Sequence, residues 1–169
     1  MQAFGVSEPN SGTDTLSLET NAKLAEDGSG DYVINGQKMW TSRAEYSDLM
    51  LLLARTTSAE DLDRRQKSKA LSLFILDMNE AKKDGLSITP VETMMNHSTT
   101  TVFFDNVKVP KENMVGEKGA GFSCILSSMN AERILIASEC IGDGRYFIEK
   151  AVKYVETVTY RLVVFIRVD

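Results

Sequence analysis

The sequence predicts an α+β protein, in which an antiparallel β-barrel or sandwich domain over residues 1–112 is followed by a long α-helix. Up to about residue 110, short apolar runs alternate with turn residues, and no helical period of any length intervenes. From about residue 118, apolar residues recur close to every 3.6 positions. These are Phe122, Ile125, Met129, Ile136, Cys140, Phe147 and Val155. We therefore assign 113–155 to the start of a helical domain and 156–169 to an atypical tail.

The predicted strands are apolar runs separated by turn residues. "LSLETNAKLAE" alternates as a strand does, and "DGSGD" after it is a glycine-rich turn. Asn35-Gly36, between "YVI" and "QKMWTS", predicts a hairpin, since a type I′ turn needs positive φ at both central residues. The nearly unbroken apolar run "SDLMLLLART" predicts a strand buried on both faces. The polar residues 57–69 after it predict a loop. Three further strands are predicted at "ALSLFILDM", "LSITPVET" and "TTTVFFDNVKVP".

Charge and composition narrow the possible partners. The net charge is −5, and the one basic cluster has acidic neighbours and no interleaved aromatic residues, which argues against nucleic acid. No apolar run approaches the roughly 18 residues of a membrane span. One histidine and no Cys-x-x-Cys predict no metal site. Cys124 and Cys140 stand too far apart along one helix to pair, and two reduced cysteines fit the cytoplasm or the mitochondrial matrix.

Both ends of the sequence predict a longer parent protein. The turn-rich loop "VSEPNSGTDT" comes almost at the start, where chains are usually frayed. The long amphipathic helix needs other helices to cover its apolar stripe, because helical stability in proteins comes mostly from such packing.

Four segments carry a resemblance to a known family. They are "FGVSEPNSGTD", "YVINGQKMWTS", "VFFDNVKVPKENMVGEKGAGF" and "NAERILIASECIGDGRYFIEKAVKY", in that order over residues 1 to about 155. Together they resemble the acyl-CoA dehydrogenases of fatty acid β-oxidation. The resemblance implies a middle β domain and the first long helix of a C-terminal helical domain. It also implies FAD, an acyl-CoA substrate, an electron-transfer flavoprotein as electron acceptor, and a homo-oligomeric parent.

The resemblance assigns flavin contacts to two segments, the loop after the first apolar run and the end of "QKMWTS". Backbone approaches a flat ring closely only where side chains are small, which suits this loop. The implied contacts are Phe4, Val6, Ser7, Gly12, Thr13, Trp40 and Ser42. Without the resemblance, the loop reads as a surface turn with an N-cap and the single tryptophan as a core residue. The flavin assignment predicts that Ser7 and Trp40 lie close together.

The substrate contacts and the base are also implied by the resemblance. Thr13, His97, Ser98 and Arg133 match positions near the acyl-CoA, and Glu132 in "NAER" matches an alternative position of the base that removes the α-proton while hydride leaves Cβ for the flavin. The alternatives are that Glu132 and Arg133 form an exposed helical charge pair, or that the base comes from a later part of the parent.

The last residues depart from the family pattern. After "KAVKY" the family has an R-x-x-F-G element, whereas this sequence reads "VETVTYRLVVFIRVD", with Arg161 and Phe165 at the wrong spacing. We therefore expect that the chain alone neither retains FAD tightly nor dehydrogenates acyl-CoA. A non-catalytic module without flavin and an acyl-CoA oxidase-like or nitroalkane-oxidase-like flavoprotein stay open as alternative functions.

Overall fold

The computed structural model of the chain describes residues 2–58, 64–95 and 98–157. The chain divides into two compact units, Met1–Leu126 and Ser127–Asp169. The predicted tail over 156–169 lies almost entirely outside the described residues, as does His97. In the described part, no helix is long and apolar enough to cross a membrane.

Within the residues described, the first unit is built on one sheet of eight strands. In chain order these are β1 (Gln2–Gly5), β2 (Asn21–Leu24), β3 (Tyr32–Ser42), β4 (Leu49–Arg55), β5 (Leu71–Asp77), β6 (Leu86–Pro90), β7 (Thr99–Val109) and β8 (Met114–Val115). The strand order is β6-β7-β3-β2-β4-β5-β8, with β1 paired to β4. A single turn of helix, α1 (Met78–Ala81), follows β5, and the long helix α2 (Gly121–Thr157) follows β8.

The predicted fold class is confirmed, with one change in the sheet. Most neighbouring strands are antiparallel, but β1 and β2 both pair with β4 in parallel, so the sheet is mixed. Leu86 of β6 and Phe74 of β5 belong to one buried cluster although their strands lie near opposite ends of the strand order. The sheet therefore curls around a single core, in which the Tyr32 and Phe74 rings meet edge to face at 5.1 Å.

The predicted hairpin at Asn35-Gly36 is wrong. β3 runs through both residues without reversing, and the chain reverses earlier, in the "DGSGD" turn between β2 and β3, where Ala25 N–H donates to Asp31 C=O. Gly36 has φ +146°, and the Asn35 carboxamide oxygen accepts from Asn106 N–H across a register shift between β3 and β7. The Asn-Gly pair thus marks a β-bulge, which uses the same conformational freedom as a turn.

The first turn of α2 belongs to the first unit and packs tightly there. Ile125 is buried, and a Cβ placed on Gly121 would lie 2.5 Å from the carbonyl carbon of Ser72 in β5. A glycine is needed for that approach of helix to strand.

The second unit consists of α2 from Ser127 onward in the described residues. Its large apolar side chains are exposed except that of Met129, which is partly buried; Ile136 and Phe147 of the predicted stripe are among the exposed ones. The helix itself is confirmed, and it extends two residues past the predicted boundary at 155.

Candidate functional site

The loop that follows β1 is joined directly to β3. The backbone N–H of Met39 donates a 2.9 Å hydrogen bond to the carbonyl of Ser7. Because Trp40 is the next residue after Met39, the loop and the tryptophan share one region of the surface. The predicted proximity of Ser7 and Trp40 is therefore confirmed, while their contact with a flavin stays a prediction.

Trp40 stands in a β-bulge that turns its indole outward. Its φ is +62°, and the register with β7 shifts between Lys38 and Thr41. A bulge adds one residue to one strand and re-aims the side chains around it. As a result Trp40 is 56% exposed, whereas the neighbouring Thr41 is buried. An exposed indole beside an ordered loop is a surface on which a flat ring can stack.

A second corner adjoins the end of β3. Arg43, with φ +58°, donates its backbone N–H to the carbonyl of Ser98 at 2.8 Å, and Ser98 itself has φ +54°. The Ser98 hydroxyl donates to the Glu45 carboxylate at 3.4 Å. Ser98 is thus held near Ser42, whose own side chain is exposed. Left-handed backbone at non-glycine residues is uncommon and costs free energy, so it persists only where surrounding contacts enforce it.

The other predicted flavin contacts differ in accessibility. Gly12 and Thr13 are exposed, and a Cβ added to Gly12 would meet nothing within 4 Å. Phe4 of β1 is partly buried. Val6 is buried, and its carbonyl oxygen already accepts a hydrogen bond from the Lys38 ammonium group.

A buried ion pair that sequence reasoning missed lies beneath this loop. The ammonium group of Lys38 donates to the Glu8 carboxylate at 2.7 Å, and neither side chain is more than 6% exposed. Burial lowers the pKa of Lys38 to about 8, against the raising effect of Glu8. Burial alone raises the pKa of Glu8, but the Lys38 charge and the hydrogen bonds that the carboxylate accepts outweigh it and hold this pKa below its ordinary value. Both groups are therefore charged at neutral pH.

The signal for this pair was present in the strand pattern. Lys38 follows Tyr32 and Ile34 at even spacing, which places it on the inward side of β3. A lysine at an inward position needs a partner of opposite charge. Its partner stands 30 residues earlier, and periodicity does not reveal a contact over that distance.

Two clefts of the first unit lie away from Trp40. One of about 500 Å³ includes Glu8, Gln37 and Phe103 in its lining, and another of about 640 Å³ includes Lys69 and Lys118. Neither includes Trp40 or Ser42.

Glu132 and Arg133 lie in the second unit. Both are exposed, and the Arg133 guanidinium donates to the Asn130 side chain one turn earlier at 2.8 Å. Their assignment as base and substrate contact stays a prediction.

Comparison with known proteins identifies the fold first. The structure of a probable acyl-CoA dehydrogenase from Mycobacterium abscessus matches with a TM-score of 0.79 and 25% identity, covering 95% of this chain and 40% of that one. A complex of glutaryl-coenzyme A dehydrogenase with glutaryl-CoA matches with a TM-score of 0.74 and 29% identity, and the match covers 94% of this chain and 38% of that one. The fold is that of an acyl-CoA dehydrogenase middle domain with a following helix.

Sequence comparison agrees. Residues 3–107 match the family model described as "Acyl-CoA dehydrogenase, middle domain". Acyl-CoA dehydrogenase FadE26 of Mycobacterium tuberculosis is 38% identical over 136 residues, or 80% of this chain and 32% of that protein. Glutaryl-CoA dehydrogenase of Desulfococcus multivorans is 31% identical over 153 residues, which are 89% of this chain and 36% of that protein. The chain belongs to the acyl-CoA dehydrogenase family, and it spans about a third of the length of these relatives.

Proposed function

We propose that this chain forms one wall of a flavin site in a protein that dehydrogenates acyl-CoA thioesters between the α and β carbons with FAD. The observation that carries the proposal is the hydrogen bond from Met39 N–H to Ser7 C=O, which holds the loop beside the exposed Trp40. Two segments distant in sequence are thereby ordered into one surface.

The residues of this surface fit a flavin. Trp40 presents an indole face, Ser42 presents an exposed hydroxyl two residues on, and the space around Gly12 is open. A flat ring with a polar edge needs an apolar face to stack on and hydrogen-bond partners fixed in place, and small residues let backbone approach it. FAD would supply the acceptor for the hydride that leaves the β carbon.

The chain's own residues have three tasks in this proposal. Phe4, Val6, Ser7, Gly12, Thr13, Trp40 and Ser42 form the flavin wall. Thr13, Ser98 and Arg133 contact the acyl-CoA, as does His97, which lies outside the described residues. Glu132 removes the α-proton, a task for a positioned carboxylate. The electron acceptor is an electron-transfer flavoprotein, and the protein works as a homo-oligomer in the cytoplasm or the mitochondrial matrix.

The flavin assignment is tested by titrating the 169-residue chain with FAD while following the fluorescence of its single tryptophan. The chain alone is expected to bind weakly, because Trp40 is 56% exposed and a ligand resting on an exposed side chain forgoes the burial that pockets provide. Saturable quenching is expected, and Ser42→Ala is expected to raise Kd by about three- to tenfold through loss of one hydrogen bond. Ser87→Ala, at an exposed position of β6, is the matched control. Quenching that does not saturate, or that Ser42→Ala leaves unchanged, would contradict the assignment.

The role of Glu132 is tested in a form of the protein that dehydrogenates an acyl-CoA. Glu132→Gln is expected to abolish turnover and leave FAD binding unchanged, because the carboxylate is needed for proton removal and not for flavin contact. Glu139→Gln, also on the exposed part of α2, is the control. Near-normal turnover in Glu132→Gln would assign the base to another residue.

A further inference from the structure

Lys38 is among the largest side chains in the described part of the chain that are wholly buried. It lies in β3, two residues before Trp40, and its ammonium group has two hydrogen-bond acceptors, the Val6 carbonyl at 3.1 Å and the Glu8 carboxylate at 2.7 Å. Both acceptors belong to the loop that carries Ser7. Lys38 therefore bonds to the loop on either side of Ser7, and Met39 N–H bonds to Ser7 itself.

The Glu8 carboxylate extends this network to a second segment. One of its oxygens accepts from Glu19 N–H at 2.6 Å, and the oxygen that faces Lys38 also accepts from Thr20 N–H at 3.0 Å. The two ends of the loop, near residues 8 and 19, are thus held by one side chain. Thr20 is in turn bonded to β3, since its hydroxyl donates to the Gln37 carbonyl at 3.2 Å.

A general gain in stability does not account for this arrangement. Removing two charges from water costs several kcal/mol, and an apolar pair of similar size is often as stable as a buried ion pair. The ion pair instead fixes the positions of the groups around it, because each hydrogen bond to a buried charge restricts where its donor or acceptor can lie. The groups fixed here are backbone groups of the loop that faces Trp40.

We propose that Lys38 is a positioning residue for the flavin wall: with Glu8, it holds the backbone of residues 6–8 against β3, so that Ser7 and Trp40 present one continuous surface. This inference rests on the proposed function only in its reference to the flavin. The holding of the loop is a property of the chain by itself, and it is measurable without FAD.

The test compares three variants of the 169-residue chain by amide hydrogen exchange. Lys38→Met removes the ammonium group and keeps a long side chain, and Glu8→Gln removes the charge of the partner. Lys108→Met is the matched control, since Lys108 also forms an ion pair at 2.7 Å, with Asp27, but at the exposed surface. The reporter is the amide of Met39, and Leu53 of β4 reports the core.

Local release of the loop and global destabilisation give different exchange patterns. In Lys38→Met, the Met39 amide is expected to exchange about tenfold faster relative to that of Leu53, as expected when a hydrogen-bonded segment opens locally. Glu8→Gln is expected to act in the same direction by a smaller factor, and it keeps the test decisive should Lys38→Met fail to fold. Lys108→Met is expected to change neither amide. Equal acceleration of both amides, or no acceleration of Met39, would overturn the proposal.

FAD titration of the same variants separates this inference from the proposed function. Lys38→Met is expected to weaken FAD binding by about tenfold, because the loop must then be ordered on binding. If the unmodified chain binds no FAD, the proposed function fails, and the Met39 exchange still decides whether Lys38 holds the loop. If the variant binds FAD as the unmodified chain does although Met39 exchanges faster, Lys38 does not position the flavin wall.

Discussion

Lys38 and Trp40 stand two residues apart in β3, yet one side chain is wholly buried and the other is more than half exposed. In a regular strand, residues at this spacing point to the same face. The left-handed backbone of Trp40 and the register shift beside it break the alternation. The bulge thus lets a single strand present a buried cation below the loop and an aromatic ring at the surface.

The Glu8 charge makes a testable contribution to stability. At neutral pH, Glu8→Gln is expected to lower the free energy of unfolding by about 2–4 kcal/mol, because Lys38 is left buried without its counter-charge. The folded-state pKa of Glu8 lies below its ordinary value of 4.5, so the stabilisation is complete above 4.5 and is lost as the pH falls through the lowered pKa. Urea unfolding at pH 7 and pH 3 measures the difference, which is expected to shrink at the lower pH. A difference independent of pH would show that the carboxylate charge is not responsible.

Single residues were the hardest features to predict from the sequence. The proximity of Ser7 and Trp40 followed from resemblance to a family and not from periodicity, which would have turned Trp40 inward beside Lys38. The partnership of Lys38 with Glu8 depends on a loop conformation that only the folded backbone defines. Local patterns describe neighbours along the chain, whereas these contacts join positions about 30 residues apart.

The elements were predicted best where their pattern was long. The apolar run of β4, the strands β5 and β7, and the 37-residue helix α2 all appear where the sequence placed them. The hairpin prediction at Asn35-Gly36 failed because the same Asn-Gly pair occurs in tight turns and in β-bulges. In a type I′ turn both residues have positive φ, whereas here only Gly36 does, and Asn35 instead bonds across to β7.

Gly36 is therefore expected to resist substitution. A Cβ at this position would lie 2.6 Å from Thr20 Cα, and the φ of +146° disfavours any side chain. Gly36→Ala is expected to lower the free energy of unfolding by about 2–4 kcal/mol through strain and overlap. Gly12→Ala, where a Cβ meets nothing within 4 Å, is the control and is expected to change it by less than about 0.5 kcal/mol. Urea unfolding of the two variants gives the comparison, and equal effects would contradict the steric explanation.

At the scale of the whole molecule, the two units differ in how they bury apolar residues. The sheet of the first unit encloses its own core. In the second unit, Ile134, Ile141, Ile148 and Val155 recur every seven residues along α2 and are each more than 60% exposed. Seven residues are close to two helical turns, so these side chains lie along one side of the helix.

Such a row of exposed apolar side chains is expected to drive self-association of the chain. The sedimentation coefficient is expected to rise with protein concentration, and the double variant Ile141→Gln, Ile148→Gln is expected to reduce that rise. Glu139→Gln together with Lys153→Gln, two exposed polar positions of the same helix, is the control. A coefficient that does not change with concentration would contradict the expectation.

The burial of Lys38 also gives the protein a chemical signature. Every other lysine in the described part of the chain has an exposed side chain. An amine-selective acylating reagent, applied to the folded protein, is therefore expected to modify those lysines first and to reach Lys38 only when the loop above it opens. Burial lowers the pKa of Lys38 to about 8, so the buried amine is still mostly protonated at neutral pH, and opening of the loop must expose it before it reacts. The labelling rate of Lys38, measured by peptide mass spectrometry, therefore reports how often the loop opens.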